Sequence, residues 1–143
     1  MSNENLFTIL SYIPGPFWLM ILFLPNNKKA MIAVDIFLFL MSGLFVFQAI
    51  PVMGELFPLL AQPEFPKMYA FLSSEKGVLG SWNHMILSDV WIGRWIAKDS
   101  LQFEKSIIIR IFIIPIIMFF GPVGLFCYLV FRVIVKKSFY LLE

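Results

Sequence analysis

Four long apolar runs alternate with short polar stretches along this chain. The first, Leu6 to Leu24, carries no charge. Pro14-Gly15-Pro16 interrupts it and predicts a kink or break there. The second runs from Ala30 to Met53 with one charge, Asp35. The third is Val78 to Ile96, and the fourth is Ile107 to Phe131, whose one charge is Arg110. About twenty apolar residues at about 1.5 Å rise span a hydrocarbon core of about 30 Å, so each run is long enough to cross. Pro25-Asn26-Asn27-Lys28-Lys29 reads as a tight turn, and residues 97–106 as a short charged one. Both predict antiparallel neighbours. The link from Gly54 to Gly77 holds Pro58, Pro63 and Pro66, so it is not one helix. Its Phe57, Leu59, Leu60, Phe65, Tyr69 and Phe71 suit a membrane interface. The expected fold is all-α: an integral membrane protein forming one domain over residues 1–143. Four transmembrane helices, about 6–24, 30–53, 78–96 and 107–131, make a bundle, with an interfacial loop between the second and third.

Composition supports the membrane reading. The 143 residues are 60% hydrophobic and 14% charged. Soluble domains sit near about 45–50% and about 25%. Such a surface needs lipid or a large partner to cover it. The net charge of +2 comes from scattered basic residues, which argues against nucleic acid as a partner. The single cysteine, Cys127, cannot form an intrachain disulfide. One histidine with no H-E-x-x-H or C-x-x-C pattern gives no metal site, and no cofactor is expected. Residues 1–5 lack a positive charge, so the first run reads as a retained membrane segment, not a signal peptide. With four crossings, Lys28, Lys29, Arg94, Lys98, Lys105 and Arg110 fall on one side. Lys67, Lys76, Arg132, Lys136 and Lys137 fall on the other. Six against five is a small bias. The neutral-to-acidic N-terminus tips it toward both termini outside.

The third run is unusual because it carries a polar ladder: Ser73-Ser74-Glu75, Trp82, His84, Asp89, Arg94, Asp99. Ionisable groups at bilayer depth cost several kcal/mol each, by order of magnitude, so they are paired or functional. Asp35, Asp89, Arg94 and Arg110 all lie within about 12 Å of one leaflet boundary at 1.5 Å per residue. Two acids and two bases at similar depth neutralise each other, which is a structural role. His84 lies toward the opposite boundary. At about 100° per residue it shares a face with Ser88, while Asp89 is about 140° away. A membrane histidine hydrogen-bonds between helices, ligates a pigment or haem, or acts as an acid/base. Trp82, Trp91 and Trp95 suit interface anchoring. Trp91 and Trp95 also share the face of His84 and Ser88, where a flat polyene or ring would fit.

The ladder's spacings resemble those of the plant abscisic-acid-deficient-four family and its bacterial relatives. Pro16-Phe17-Trp18 with Pro25-Asn26, and Gly121-Pro122-Val123-Gly124, look like two further elements of that family. The likeness covers all four runs. Asn83, Ser100 and Gly121 depart from the plant pattern. Plant members are plastid membrane proteins needed to make neoxanthin from violaxanthin, so the resemblance implies carotenoid metabolism. It also implies a thylakoid or bacterial inner membrane. That conversion opens an epoxide and forms an allene, which needs an acid at the epoxide oxygen and a base for a departing proton. The resemblance puts His84, Asp89 and Glu75 in these roles, with Arg94 stabilising an alkoxide or holding Asp89 ionised. Trp82, Ser88 and Trp91 become candidate ligand contacts. Asp35, which has no counterpart in the family pattern, stays with Arg110 and Asp99 in a structural polar cluster. The expected partners are the bilayer, a carotenoid as substrate or bound pigment, and further membrane subunits. The other reading is a non-catalytic subunit that binds pigment or lipid in a larger, photosynthetic, complex.

Overall fold

In the computed structural model, which describes residues 2–137, the chain is helical, with no strand among the described residues. The α-helices are α1 (Asn3–Tyr12), α2 (Gly15–Phe23), α3 (Lys28–Ala49), α4 (Met53–Ala61), α5 (Phe65–Leu72), α6 (Glu75–Asp99) and α7 (Ser106–Lys136). They join into five helical stretches, not four. The break between α1 and α2 falls at the expected prolines, because Pro16 has no N–H to give to the preceding turn. Asn27 opens α3: its side-chain oxygen accepts from the N–H groups of Lys29 and Ala30.

The second run is longer than expected. A 3-10 turn, Ile50–Val52, carries α3 straight on into α4. The expected interfacial loop is two short helices, α4 and α5, parted at Gln62–Glu64 just before Pro66 sets the start of α5. Phe57 and Phe65 are exposed there, 68% and 83%. Three stretches are long and apolar enough to cross a membrane: Asn3–Phe23, Lys28–Ala61 and Ser106–Lys136. α6 is not among them. It has the length, but Asn83, His84, Asp89 and Arg94 dilute its apolar character.

The chain divides into two compact units. One is Met1–Gly15 with Asp35–Leu87, and the other is Pro16–Val34 with Ser88–Glu143, each over its described residues. In the first, α1 lies along the start of α6 and runs the same way. Asn3 donates to Glu75 at 2.6 Å, and two turns later Trp82 donates to Ser11 Oγ at 3.0 Å. The Phe7 and Trp82 rings meet between these bonds, 5.1 Å apart.

The second unit corrects the expected last crossing. α7 is not one straight rod, because Phe120 leaves helical geometry (φ −145°, ψ 66°). Pro122 follows as the second residue of a new helix, a position where its missing N–H costs nothing. The chain reverses at this point. In a straight helix Ile117 and Gly124 stand about 10 Å apart. Here a Cβ placed on Gly124 would lie 2.7 Å from the Ile117 nitrogen. Further out, Arg110 and Arg132 would be about 33 Å apart on a straight helix. Instead Arg110 reaches Ser100 Oγ at 3.4 Å, and Arg132 reaches the adjacent Asp99 at 3.0 Å. Phe103, just before α7, stacks edge-on against Phe131, with centroids 5.2 Å apart. So α7 is a helical hairpin with limbs 106–119 and 121–136, and both open ends lie at the C-terminal end of α6. Arg132, Lys136 and Lys137 therefore belong beside Lys98 and Lys105, not across from them. This unit holds every Lys and Arg except Lys67 and Lys76.

Candidate functional site

The first unit contains an apolar cleft of about 360 Å³. Phe45, Gln48 and Val52 come from α3 and its extension, Leu56 and Leu60 from α4, and Met68 and Phe71 from α5. α6 closes it with Lys76, Gly77, Gly80, Ser81 and His84. The open side of α6 at Gly80 has no Cβ to narrow the cleft. His84 is exposed and stands beside the Phe45 ring, centroids 5.6 Å apart at 53°. The histidine is therefore at a cleft wall with an aromatic neighbour. Just behind the wall, Asn83 is fully buried and donates to Gln48 Oε1 at 2.9 Å. Sequence reasoning did not single out Gln48, and took Asn83 only as a departure from a pattern. An Asn in an apolar run was the available signal.

Glu75 does not join His84. It sits at the first turn of α6, exposed, with Asn3 as its partner. It lines a separate open cleft of about 600 Å³ with Ser2, Glu4, Phe7, Thr8 and Ser73. Trp82 holds α1 through Ser11 and Phe7, which gives it a packing role in this unit.

Of the remaining ladder residues, Asp89, Arg94 and Asp99 lie in the second unit; Asp35, expected beside them, is an exposed residue that opens the α3 part of the first. Asp99 accepts from Tyr128 and from Arg132. Both donors are fully buried, and the Tyr128 ring packs edge-on against Trp95, with centroids 5.7 Å apart. Arg110, also buried, donates to the Leu22 carbonyl at 2.9 Å as well as to Ser100. It thereby joins the ends of α2 and α6 to the start of α7. Tyr128 and Arg132 were missed because a straight fourth span puts them far from Asp99. Asp89 lies against the α7 reversal: a Cβ on Gly121 would be 2.6 Å from the Asp89 Cγ. Only a glycine at 121 leaves room for that carboxylate. Trp18 packs on Gly93 in the same close manner, and its ring leaves no room for a Cβ there. Arg94 and Ser88 are half-buried, and Trp91 is 61% exposed. Among the described residues, no three His, Cys, Asp or Glu side chains gather as metal ligands would.

No curated protein and no solved structure matches the chain at a significant level. A family model described as ABA DEFICIENT 4-like matches residues 5–128. The description suggests a role in carotenoid or abscisic-acid-related metabolism. The match runs from the first turns of α1 through the Asp99 partner Tyr128, and so takes in the His84 cleft, the Asp89–Gly121 contact and the α7 reversal alike. The chain belongs to the ABA DEFICIENT 4-like family.

Proposed function

We propose that this is a membrane protein of carotenoid metabolism that takes the end ring of an epoxy-carotenoid into the cleft of the first unit and isomerises it. The observation that carries the reading is the cleft itself: apolar walls, the Phe45 ring beside His84, and two side chains able to move a proton, His84 and Lys76, in its lining. Ligand sites for apolar molecules are mostly hydrophobic, with a few placed polar groups. A cleft of about 360 Å³ suits one end group of a long polyene, while the rest lies along exposed apolar surface. His84 is the group assigned to proton transfer at the ring. Glu75 faces another cleft, and Asp89 belongs to the second unit, so neither is given a step.

The proposed setting is a thylakoid or bacterial inner membrane. α1 with α2 and α3 with α4 have the length and apolar character to cross it, and α6 has the length. Each limb of α7 is about 21–24 Å long at 1.5 Å per residue, shorter than a core of about 30 Å, so the hairpin enters and leaves by one leaflet. At the reversal Gly121 is buried against Asp89, while the Phe120 side chain is 66% exposed. The small basic bias of a four-crossing chain becomes a large one. Lys28, Lys29, Lys98, Lys105, Lys136 and Lys137 share the cytoplasmic or stromal side, with Arg94, Arg110 and Arg132.

The test is reconstitution of the purified protein with an epoxy-carotenoid, followed by pigment extraction. Conversion to an isomer, lost in His84→Ala while the pigment is still retained, supports the reading. A pigment bound in fixed ratio and never converted would place the chain as a pigment-binding subunit instead. Full turnover by His84→Ala removes the chemistry from this cleft.

A further inference from the structure

Six lysines gather at one end of the second unit. Lys98 precedes Asp99 at the end of α6, and Lys136 lies one turn beyond Arg132, about 6 Å along its helix. The Asp99–Arg132 bond at 3.0 Å therefore sets Lys98, Lys136 and Lys137 close together. The Phe103–Phe131 contact brings Lys105, two residues after Phe103, to the same place. Lys28 and Lys29 open α3 just past Leu22, whose carbonyl holds Arg110. Five of the six are exposed, and Lys136 is half-buried. Among the described residues none of the six has an ion-pair partner, and Glu104 is the one exposed acid of this unit.

Helix stability does not explain them all. Lys98 and Lys136 stand in last turns, where a cation meets the negative end of the helix dipole. Lys28, Lys29 and Lys105 stand at the starts of α3 and α7, where the dipole opposes a cation. Like charges gathered at one end also repel one another. A negative charge supplied from outside relieves both costs. The apolar surroundings say what brings it. Ile32, Ile108 and Ile134 are exposed within one turn of Lys28, Lys105 and Lys136. These lysines thus stand at the border of an exposed apolar surface, the depth of a lipid headgroup.

We propose that this end of the second unit binds the anionic headgroups of membrane lipids. A headgroup with one negative phosphate or sulfonate meets the lysines, while its acyl chains lie along Ile108 and Ile134. A zwitterionic headgroup brings its own cation to the same lysines. A soluble acidic segment has no chains to set against the isoleucines. The proposal rests on the membrane setting and the α7 fold-back, not on the chemistry assigned to His84.

In the experiment, the full chain is reconstituted into nanodiscs of equal parts phosphatidylglycerol and phosphatidylcholine and released into mild detergent. Native mass spectrometry identifies the lipids it retains. Phosphatidylglycerol should be enriched at least about fivefold over phosphatidylcholine, the preference that one or two lysines near the surface give a single charge. Between about 0.1 M and about 1 M salt the screening length falls from about 10 Å to about 3 Å, and the enrichment should fall with it. Lys98→Gln/Lys105→Gln/Lys136→Gln/Lys137→Gln should lose the enrichment. The corresponding Lys→Arg changes should keep it, because arginine stays charged. The salt series on the native protein decides the matter where the glutamine variant does not fold. No enrichment in the native protein, the result if these lysines serve only to orient the chain during insertion, overturns the proposal. So does enrichment that persists in the glutamine variant or at about 1 M salt. Displacement of the lipid by poly-glutamate would assign the face to an acidic protein segment instead. Each of these results leaves the reading of the His84 cleft standing.

Discussion

Removing Arg132 should cripple the second unit more than any surface change. The Arg132 side chain is fully buried and holds Asp99, whose own side chain is 9% exposed, at 3.0 Å. Tyr128 is the other donor to the same carboxylate oxygen. Arg132→Met keeps most of the packing volume but leaves Asp99 with a hydroxyl and no countercharge. Breaking a buried pair by deleting one partner costs about 3–5 kcal/mol. The retained Tyr128 bond offsets part of that, so about 3 kcal/mol is expected. Asp99→Asn in the same protein removes the stranded charge and keeps an acceptor for Tyr128. The double variant should therefore be within about 1 kcal/mol of native, because buried pairs are close to neutral against uncharged replacements. The coupling energy would then be at least about 2 kcal/mol, well above the few tenths seen between independent sites. Unfolding in detergent micelles with mild denaturant, read by tryptophan fluorescence, gives all three values. An Arg132→Met loss below about 1 kcal/mol, or a double variant as weak as the sum of the singles, would refute the buried pair and the fold-back that creates it.

Two other perturbations address separate contacts. Gly121→Ala should destabilise by about 1–3 kcal/mol through overpacking against Asp89, and Asp89→Ala should relieve it, read as recovery of melting temperature in the double variant. Without such relief, the two residues do not touch. Trp82→Phe removes one hydrogen bond to Ser11 but keeps the ring contact with Phe7, so about 1 kcal/mol of stability should be lost and carotenoid binding retained. Loss of pigment with unchanged stability would return Trp82 to the ligand site.

The parts of the fold that were legible are those where a local rule has no competitor. Pro14-Gly15-Pro16 breaks the first run because proline lacks an N–H, wherever the rest of the chain goes. Likewise Pro63 and Pro66 forbid one helix between 54 and 77, although the turns between them can still be helical, as α4 and α5 are. The α7 reversal was not read, yet its marker was present. Gly121-Pro122 is a helix start as well as a kink signal, and apolar length alone does not distinguish one crossing from two half-crossings. That misreading spread to the site. Placing Arg132 across the membrane from Lys98 hid the Asp99–Tyr128–Arg132 cluster. Spacing along α6 could show that His84 and Asp89 face different ways. It could not show that His84 meets a cleft formed by α3, α4 and α5, because those contacts depend on where α3 continues past Met53.

The fold-back of α7 is the claim on which the sidedness of the charges and the sites depends. Single cysteines placed at Lys105 and Lys137 in a Cys127→Ser background, probed with a membrane-impermeant maleimide on sealed vesicles of each orientation, test it directly. A hairpin predicts that positions 105 and 137 label from the same side. Labelling of 137 from the side opposite to 105 would mean that α7 crosses the membrane once, and would contradict the account.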